Sequence, residues 1–391
     1  MRSRLLLPAV AIVALALCLR IAVSGVGVVL DPLRADLGMS AGLAGLLTTL
    51  PVVAFGVVGL LTGALVRRFG IDHLAAVALL VLAVATATRV LVPSSVPFLL
   101  LTAVALAAAA VGNVILPPLA RRHAPDHVRL LSSVYGAALL TGAAATAALT
   151  VPIADVTGSW RPALGWWAVV PALAVVPWVL VLRRPRADGH AATDAPAGPR
   201  PRLLRSRTTW VMAVFFGIQS TYAYVQFGWF ATVLIEDGVD DHVAASLMAL
   251  LAAAGIPIAL LMPTLSRLVG DVGLSWVWAS ATVLGWGGLW LTEAAVPWVW
   301  AVLLGVGSGA FPWVLSMIPR RSRSLSGTAA LSATTQGIGY GIAALGPFGV
   351  GVVHEVTGSF DVALVVLAAS GVLLGVLGTI ISRAGFVEDE I

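Results

Sequence analysis

Long apolar runs dominate the chain, and charged or Pro/Gly-containing breaks separate them at regular intervals. Each run has about the 20 residues that a helix needs to cross a bilayer. The pattern predicts an all-α membrane protein with twelve transmembrane helices, approximately at 5–30, 41–66, 73–92, 96–120, 129–154, 163–182, 208–235, 242–268, 273–293, 296–318, 325–353 and 359–382.

The composition supports this prediction. Of the 391 residues, 59% are hydrophobic and 10% are charged, with a mean hydropathy of +1.00, whereas a soluble domain has about 25% charged residues. All 23 basic residues are arginines, mostly in predicted loops, so the high pI does not indicate a nucleic-acid partner. The single cysteine, Cys18, excludes an internal disulfide. No spacing of His, Cys or acidic residues predicts a metal ion or another cofactor.

One polar segment divides the predicted helices into two sets of six. Residues 183–207 are rich in Pro, Ala and Arg and have no periodicity, which predicts a flexible linker. The expected organisation is an N-terminal six-helix bundle at 1–182, a cytoplasmic linker at 183–207 and a C-terminal six-helix bundle at 208–391.

The distribution of arginine predicts the orientation. If the linker and both termini lie in the cytoplasm, 19 of the 23 arginines fall on the cytoplasmic side, as the positive-inside rule requires. The opposite side then holds only Arg34, Arg89 and Arg161. The chain is therefore expected to be a multi-pass protein of the plasma membrane with both termini cytoplasmic.

An internal repeat supports two homologous halves. The sequence VTGSW at 156–160 recurs as VTGSF at 356–360. Other matches at the same spacing of 200 pair Gly38 with Gly238, Arg67 with Arg267 and Gly70 with Gly270. Two parallel six-helix repeats, with a substrate site between them near the midplane, are typical of the major facilitator superfamily.

Five segments carry a closer resemblance, at 17–56, 112–122, 215–239, 255–270 and 336–360. They are similar to the first, fourth, seventh, eighth and eleventh helices of the cyanate-permease and nitroimidazole-transporter family of major facilitators. The resemblance implies a secondary transporter for a small solute. Members of this family are associated with small anions such as cyanate and with the export of small heteroaromatic compounds.

The chain departs from the family pattern at two places. The first helix of the family usually reads Asn-Leu-Arg-Pro, but here Cys18 and Ile21 flank Leu19-Arg20, so a polar group and a helix-bending proline are missing. The superfamily loop after helix 2 commonly has an Asp where this chain has Arg67. The family's substrate is therefore not assigned from the resemblance alone, and the usual charge relay between the halves is expected to be altered.

Arg20 is the most informative residue, because it lies inside the first apolar run. A guanidinium at mid-membrane costs about 2.5–3.5 kcal/mol on insertion scales and is kept where it faces a protein interior or a wet cavity. Since Arg does not lose its proton, the site stays cationic and favours an anion or an electron-rich ligand. The alternative is a structural Arg neutralised by backbone carbonyls or a neighbouring helix.

Five other polar residues lie on helices that line the substrate cavity in this superfamily or beside it. The predicted substrate-binding set comprises Arg20 together with Asn113, Gln219, Tyr222, Gln336 and Tyr340. Gln219 and Tyr222 share one face of their helix, and so do Gln336 and Tyr340. For Asn113, Gln219 and Tyr222 the alternative is a hydrogen bond that joins two helices.

The eleventh predicted helix is rich in small residues. Gly337, Gly339 and Gly341 allow close approach of a neighbouring helix, and Gly346-Pro347 allows a bend. We interpret Gly337, Gly339, Gly341 and Pro347 as packing and gating residues without contact to the ligand.

These observations predict a transporter and not an enzyme, because no nucleophile–base pair lies within the helices. All 18 acidic residues fall in predicted loops, tails or helix ends, so a buried carboxylate proton relay is not expected. The prediction is alternating access, by rocking of the halves, for a small anionic or electron-rich solute held near Arg20, in a monomer. The alternatives are an exporter of neutral heteroaromatic or drug-like compounds and a non-transporting receptor. Substrate, direction and coupling ion stay open.

Overall fold

The computed structural model describes residues 2–27, 29–183, 203–292 and 295–391. Within these ranges every regular element is a helix, and none is a strand, as the apolar pattern predicts. The linker expected at 183–207 falls mainly on residues 184–202, which lie outside the described residues.

The chain divides into two compact units. The N-terminal unit is Met1–Pro201 with Arg323–Ala333, and the C-terminal unit is Arg202–Ser322 with Thr334–Ile391. The helices within the first stretch of the N-terminal unit are α1 (Arg2–Cys18), α2 (Ile21–Gly27), α3 (Leu30–Leu37), α4 (Ala41–Phe69), α5 (Ile71–Arg89), α6 (Ser95–His123), α7 (Val128–Thr157), α8 (Trp160–Gly165) and α9 (Val169–Arg183).

The remaining helices follow residue 202. They are α10 (Arg207–Glu236), α11 (Asp241–Thr292), α12 (Pro297–Gly307), α13 (Ala310–Met317), α14 (Leu325–Ala343), α15 (Leu345–Thr357) and α16 (Asp361–Arg383). The first residues of α14 group with the N-terminal unit.

Ten stretches of the described helices are long and apolar enough to cross a membrane. One of them, Ser246–Thr292, has 47 residues, more than twice the about 20 that a crossing requires. It turns at Gly270, where φ is +70° and helical geometry is interrupted. If this stretch crosses twice, the ten stretches supply eleven crossings, and α10 supplies the twelfth of the predicted helices.

Several predicted helices are built from two pieces. Pro312 and Pro347 have no N–H to offer the carbonyl four residues earlier, which explains the breaks between α12 and α13 and at Ala344, between α14 and α15. The span predicted over 5–30 corresponds to one apolar stretch, Leu6–Gly27, but its helix is interrupted, since α1 ends at Cys18 and α2 begins at Ile21. No proline lies near this break.

The stretch between the first two predicted spans is also helical, where only a loop was expected. It forms α3, whose Leu33 and Leu37 are buried in a core cluster with Phe98 and Trp160. Their spacing of four places both leucines on one face of the helix. A short apolar face is thus enough to form α3 once α6 and α8 cover it.

The internal repeat is visible in the backbone. The glycines with positive φ among the described residues form three pairs separated by 200 residues: Gly38 with Gly238, Gly70 with Gly270 and Gly158 with Gly358. Their φ angles lie between +59° and +86°, a region that glycine adopts without strain. The two halves therefore end corresponding helices in the same way.

Ion pairs lie at corresponding helix starts in the two units. Asp72 in the first turn of α5 pairs with Arg122 (3.2 Å) and His123 (2.8 Å), and Asp271 pairs with Arg320. A carboxylate near a helix N-terminus also complements the helix dipole. In each unit the carboxylate follows the positive-φ glycine, while Arg67 occupies the position expected for an Asp.

The C-terminal residues fold back onto the C-terminal unit. Val387 is fully buried, Ser322 donates a hydrogen bond of 2.7 Å to Glu388, and Thr208 donates from its backbone N to Glu390 (3.0 Å). Burial alone would raise the pKa of Glu390, but hydrogen bonds from Thr208 and its neighbours outweigh it and hold the pKa below its usual value. The tail thus caps the N-terminus of α10.

Candidate functional site

Arg20 lies at the break between α1 and α2 and is partly exposed. Its guanidinium carbon is 5.7 Å from the centroid of the Phe55 ring on α4. Phe55 is almost fully buried, so the cation lies against the face of an aromatic ring that is fixed by packing. This contact is a cation–π interaction between α4 and the break.

Two glycines allow other helices to approach the break closely. A Cβ at Gly142 on α7 would lie 2.0 Å from the carbonyl oxygen of Leu17, and a Cβ at Gly112 on α6 would lie 2.4 Å from Leu19. A side chain at Gly142 would clash with the backbone of α1, and one at Gly112 would clash with the side chain of Leu19. The break that carries Arg20 is therefore held by α6 and α7.

Asn113 follows Gly112 and is completely buried in α6. Because Gly112 contacts Leu19, the residues next in sequence, Asn113 and Arg20, lie at a similar depth of the N-terminal unit. These are the two members of the predicted set that belong to this unit.

The other four members of the predicted set belong to the C-terminal unit. Gln219 is buried on α10, where its Nε2 donates to the Phe216 carbonyl (3.0 Å) and to Ser220 Oγ (2.6 Å) on the same helix. Tyr222 is buried too, and its hydroxyl lies 2.7 Å from Ser370 Oγ on α16. This second contact is of the helix-to-helix kind that the sequence left open as the alternative.

Gln336 and Tyr340 are buried on α14. The Tyr340 ring packs edge-on against Phe216 (5.0 Å between centroids) and Tyr224 (6.3 Å). Phe311 extends this aromatic group, with its centroid 5.9 Å from that of Phe216. The C-terminal unit thus contains a cluster of four aromatic rings with two tyrosines.

The small residues of α14 and α15 differ in their surroundings. Gly337 and Gly339 are buried, and a Cβ at Gly339 would lie 2.6 Å from the Phe216 ring. Gly341 is exposed and has open space around it. Pro347 lies just after the break at Ala344, and its carbonyl accepts a hydrogen bond from Trp229 Nε1 (3.0 Å). The absence of a side chain at Gly339 therefore leaves room for the Phe216 ring of α10.

The sequence analysis missed the surroundings of Arg89. It counted Arg89 among the charges of the outer side, near the end of the helix predicted over 73–92, but Arg89 is the last residue of α5 and is fully buried. The neighbouring arginine on α8, Arg161, donates to Asp36 and to the carbonyls of Val90 (2.6 Å) and Val92 (2.9 Å). Its position inside an apolar run, the signal used for Arg20, could have identified Arg89.

Buried carboxylates are absent from the residues whose side chains the structure describes. The fully buried polar and charged residues there are Thr, Ser, Asn, Gln and Arg89. Asp72 and Asp271 are partly buried and form ion pairs with basic residues. In the same residues, no group of three or more His, Cys, Asp or Glu side chains is placed to hold a metal ion.

The chain has apolar spanning helices in two repeated sets. Within them lie isolated buried polar groups and an arginine at a helix break. Together these features define a polytopic membrane transporter. The sequence profile described as the Major Facilitator Superfamily matches residues 12–344. The chain belongs to this superfamily.

Curated relatives match almost the whole chain. The chain is 34% identical over 377 residues to the 2-nitroimidazole transporter of Escherichia coli K12, covering 95% of this chain and 94% of that protein. It is 30% identical over 353 residues to the cyanate transport protein CynX of the same organism, covering 89% and 90%. The family resemblance found in the sequence is thereby confirmed.

Solved structures confirm the fold. The proton:xylose symporter XylE, a major facilitator, superimposes with a TM-score of 0.77 at 12% identity, covering 96% of this chain and 95% of that chain. The chain is thus a multi-pass membrane protein with the twelve-helix fold of this superfamily, and it is a transporter and not an enzyme.

Proposed function

We propose that this transporter carries a small anionic or electron-rich solute by alternating access, and that Arg20 is the primary contact of the solute. The observation that carries the proposal is the position of Arg20, a permanent cation at a helix break inside an apolar run, packed against Phe55. The similarity to CynX, a cyanate transport protein, also supports an anionic solute.

The chemistry of the guanidinium favours an anion. The guanidinium lies over the Phe55 ring, and its five N–H donors form a planar fork. Two parallel N–H groups bind a small planar or linear anion better than a point charge does. In a membrane interior the attraction is strong because the local dielectric constant is low. Arg20 therefore supplies both affinity and orientation.

The other predicted residues would orient the solute. Asn113 is buried at the depth of Arg20, and an amide both donates and accepts. Gln219, Gln336 and Tyr340 bring amide and hydroxyl groups to the interior of the C-terminal unit. Tyr222 is the weakest member of the set, because its hydroxyl is already bonded to Ser370.

The alternative function is export of neutral heteroaromatic compounds. Two observations favour it: the relative at 34% identity is named a 2-nitroimidazole transporter, and the C-terminal unit has a cluster of aromatic rings around Tyr340. Aromatic edges and faces can stack on a planar heterocycle. This function predicts transport that depends on Tyr340 more than on Arg20.

Membrane topology and coupling complete the proposal. Most arginines fall on the side of the membrane that holds both termini and the linker, which supports a cytoplasmic location for that side. The linker at 183–207 then joins halves at 1–182 and 208–391. The described side chains include no fully buried carboxylate, which supports uniport or anion exchange over a buried proton relay. We further propose that the protein works as a monomer in the plasma membrane.

A thermal-shift screen of the purified protein tests the function. The ligands are cyanate, nitrate, nitrite, bicarbonate, small carboxylates and neutral nitroheterocycles, because a ligand that binds the folded state raises the melting temperature. Each hit is repeated with Arg20→Ala and with the control Arg68→Ala, which removes an exposed arginine that also lies over an aromatic ring (Phe69, 5.4 Å).

We expect stabilisation by an anion that survives Arg68→Ala and disappears in Arg20→Ala. Stabilisation by neutral heterocycles that persists in Arg20→Ala would contradict the anion proposal and support the exporter. Stabilisation by an anion that is unchanged in Arg20→Ala would assign the binding to other residues.

A further inference from the structure

Arg89 is a second buried cation, separate from Arg20. Its side chain is completely inaccessible to solvent, and its Nη1 donates one hydrogen bond of 3.4 Å to the carbonyl oxygen of Ala22 on α2. Its Nε and Nη2 have no acceptor among the described residues. A guanidinium has five N–H donors, so most of its hydrogen-bonding capacity is unused in an apolar interior.

Two buried hydroxyl groups lie at the depth just below Arg89. Thr86 precedes Arg89 by three residues on α5, and Thr102 follows Phe98 by four residues on α6, so each pair shares a helix face. The Arg89 guanidinium lies 5.8 Å from the Phe98 ring. The helices α5 and α6 are consecutive and antiparallel. Thr86, one turn before Arg89, and Thr102, one turn after Phe98, therefore lie at a similar depth along the two helices.

Both threonines are fully buried, and their Oγ1 atoms have no hydrogen-bond partner among the described residues. Other threonines nearby behave differently: Thr88, two residues after Thr86, donates to the Val84 carbonyl of its own helix (2.8 Å). Four of the buried polar atoms without a partner among the described residues, Arg89 Nε and Nη2 and the Oγ1 atoms of Thr86 and Thr102, therefore lie on the packed pair α5 and α6.

The charge of Arg89 is not neutralised by a carboxylate among the residues whose side chains are described. The nearby carboxylate on α3, Asp36, accepts hydrogen bonds from Arg161 and Trp160 instead. A buried cation without a counter-charge is strongly unfavourable. The local set consists of the Nε and Nη2 groups of Arg89 and the hydroxyls of Thr86 and Thr102, each of which is a hydrogen-bond donor.

We propose that Arg89, Thr86 and Thr102 form a binding site for a small monovalent inorganic anion inside the N-terminal unit. Convergent donors around a fixed positive charge recognise an anion, and full burial restricts it to the size of a halide, nitrite or cyanate ion. The hydrogen bond to Ala22 ties the site to α2, the second piece of the first transmembrane helix. The site is independent of the solute site proposed at Arg20, which lies over a different ring on α4.

Anion-dependent thermal stability tests the proposal. The protein is purified in gluconate, and its melting temperature is measured while bromide, chloride or nitrate replaces gluconate at constant ionic strength. We expect a saturable rise with bromide, since the anion binds the folded state. Crystals grown in bromide should show an anomalous peak beside the Arg89 guanidinium.

Matched variants locate the effect. Thr102→Val and Thr86→Val each remove one hydroxyl with little change in shape and should weaken the apparent bromide affinity about tenfold, whereas Thr88→Val should match the wild type. Arg89→Met, which replaces the buried charge by an apolar chain of similar length, should fold and lose the bromide effect. Arg20→Ala should retain it.

The outcomes are distinct. Equal melting temperatures in gluconate and bromide, or a bromide effect unchanged in the Thr86→Val, Thr102→Val double variant, would overturn the proposal. A rise with chloride and bromide alone would identify a fixed counter-ion, and a rise only with anions that the protein transports would identify a second binding position for the solute.

Discussion

Gly142→Ala is expected to displace the break that carries Arg20. The added Cβ would lie 2.0 Å from the Leu17 carbonyl oxygen, where an ordinary contact begins at 3.4 Å. Both atoms belong to or are fixed by the backbone, so no side-chain rotation relieves the clash. The helices α1 and α7 must separate by about 1.4 Å, the difference between these two distances.

The magnitude follows from two opposing effects. Overpacking a well-packed interior costs about 1–3 kcal/mol, and alanine returns up to about 1 kcal/mol of helix propensity relative to glycine. With the full return, the net loss of stability is therefore about 0–2 kcal/mol. Because Leu17 lies three residues before Arg20, we expect a loss of solute transport that exceeds the loss of folded protein.

The assay compares melting temperature in detergent with uptake into proteoliposomes. Gly228→Ala is the control, because a Cβ at Gly228 on α10 meets no atom within 4 Å; this variant should be as stable as the wild type or slightly more stable. If Gly142→Ala behaves like Gly228→Ala in both assays, the close contact between α1 and α7 does not hold the break.

Three further predictions concern hydrogen bonds and ion pairs. Glu390→Gln should lower the melting temperature at neutral pH. Because the folded-state pKa of Glu390 is lowered, its stabilising effect is complete above the unfolded-state pKa of about 4.3 and is lost as pH falls through the folded-state pKa. If the melting temperatures of the variant and the wild type do not converge at acid pH, the prediction is contradicted. Tyr222→Phe and Ser370→Ala should each cost about 1 kcal/mol without adding in the double variant, and additive losses would refute the hydrogen bond. Asp72→Asn should lower the melting temperature, and Arg122→Gln should add little to it in a double-mutant cycle.

The apolar pattern was sufficient to predict most of the fold. Apolar spans of about 20 residues and glycine pairs at a spacing of 200 can be recognised directly in the sequence. The structure places these glycines at matching helix ends. The break at Arg20 was not predictable in this way. It has no proline, and it depends on Gly112 and Gly142, which approach from helices far along the chain.

Partners of polar residues were equally hard to predict. The Tyr222 hydroxyl could bind a solute or another helix, and its contact, Ser370, is 148 residues away. Arg89 was counted among the charges of the outer side because it lies near the end of the helix predicted over 73–92, where a long arginine side chain can extend to the membrane surface. Burial of its guanidinium appears only when α2 and α6 cover the end of α5.

Uptake of anions by reconstituted protein tests the central claim most directly. Proteoliposomes with wild type, Arg20→Ala, Arg20→Lys or the control Arg68→Ala are incubated with cyanate, nitrate or nitrite, and internal anion is measured by ion chromatography. We expect uptake by wild type and Arg68→Ala, none by Arg20→Ala, and little by Arg20→Lys, since a point charge does not replace the guanidinium fork. Uptake by a well-folded Arg20→Ala protein at the wild-type rate would contradict the account.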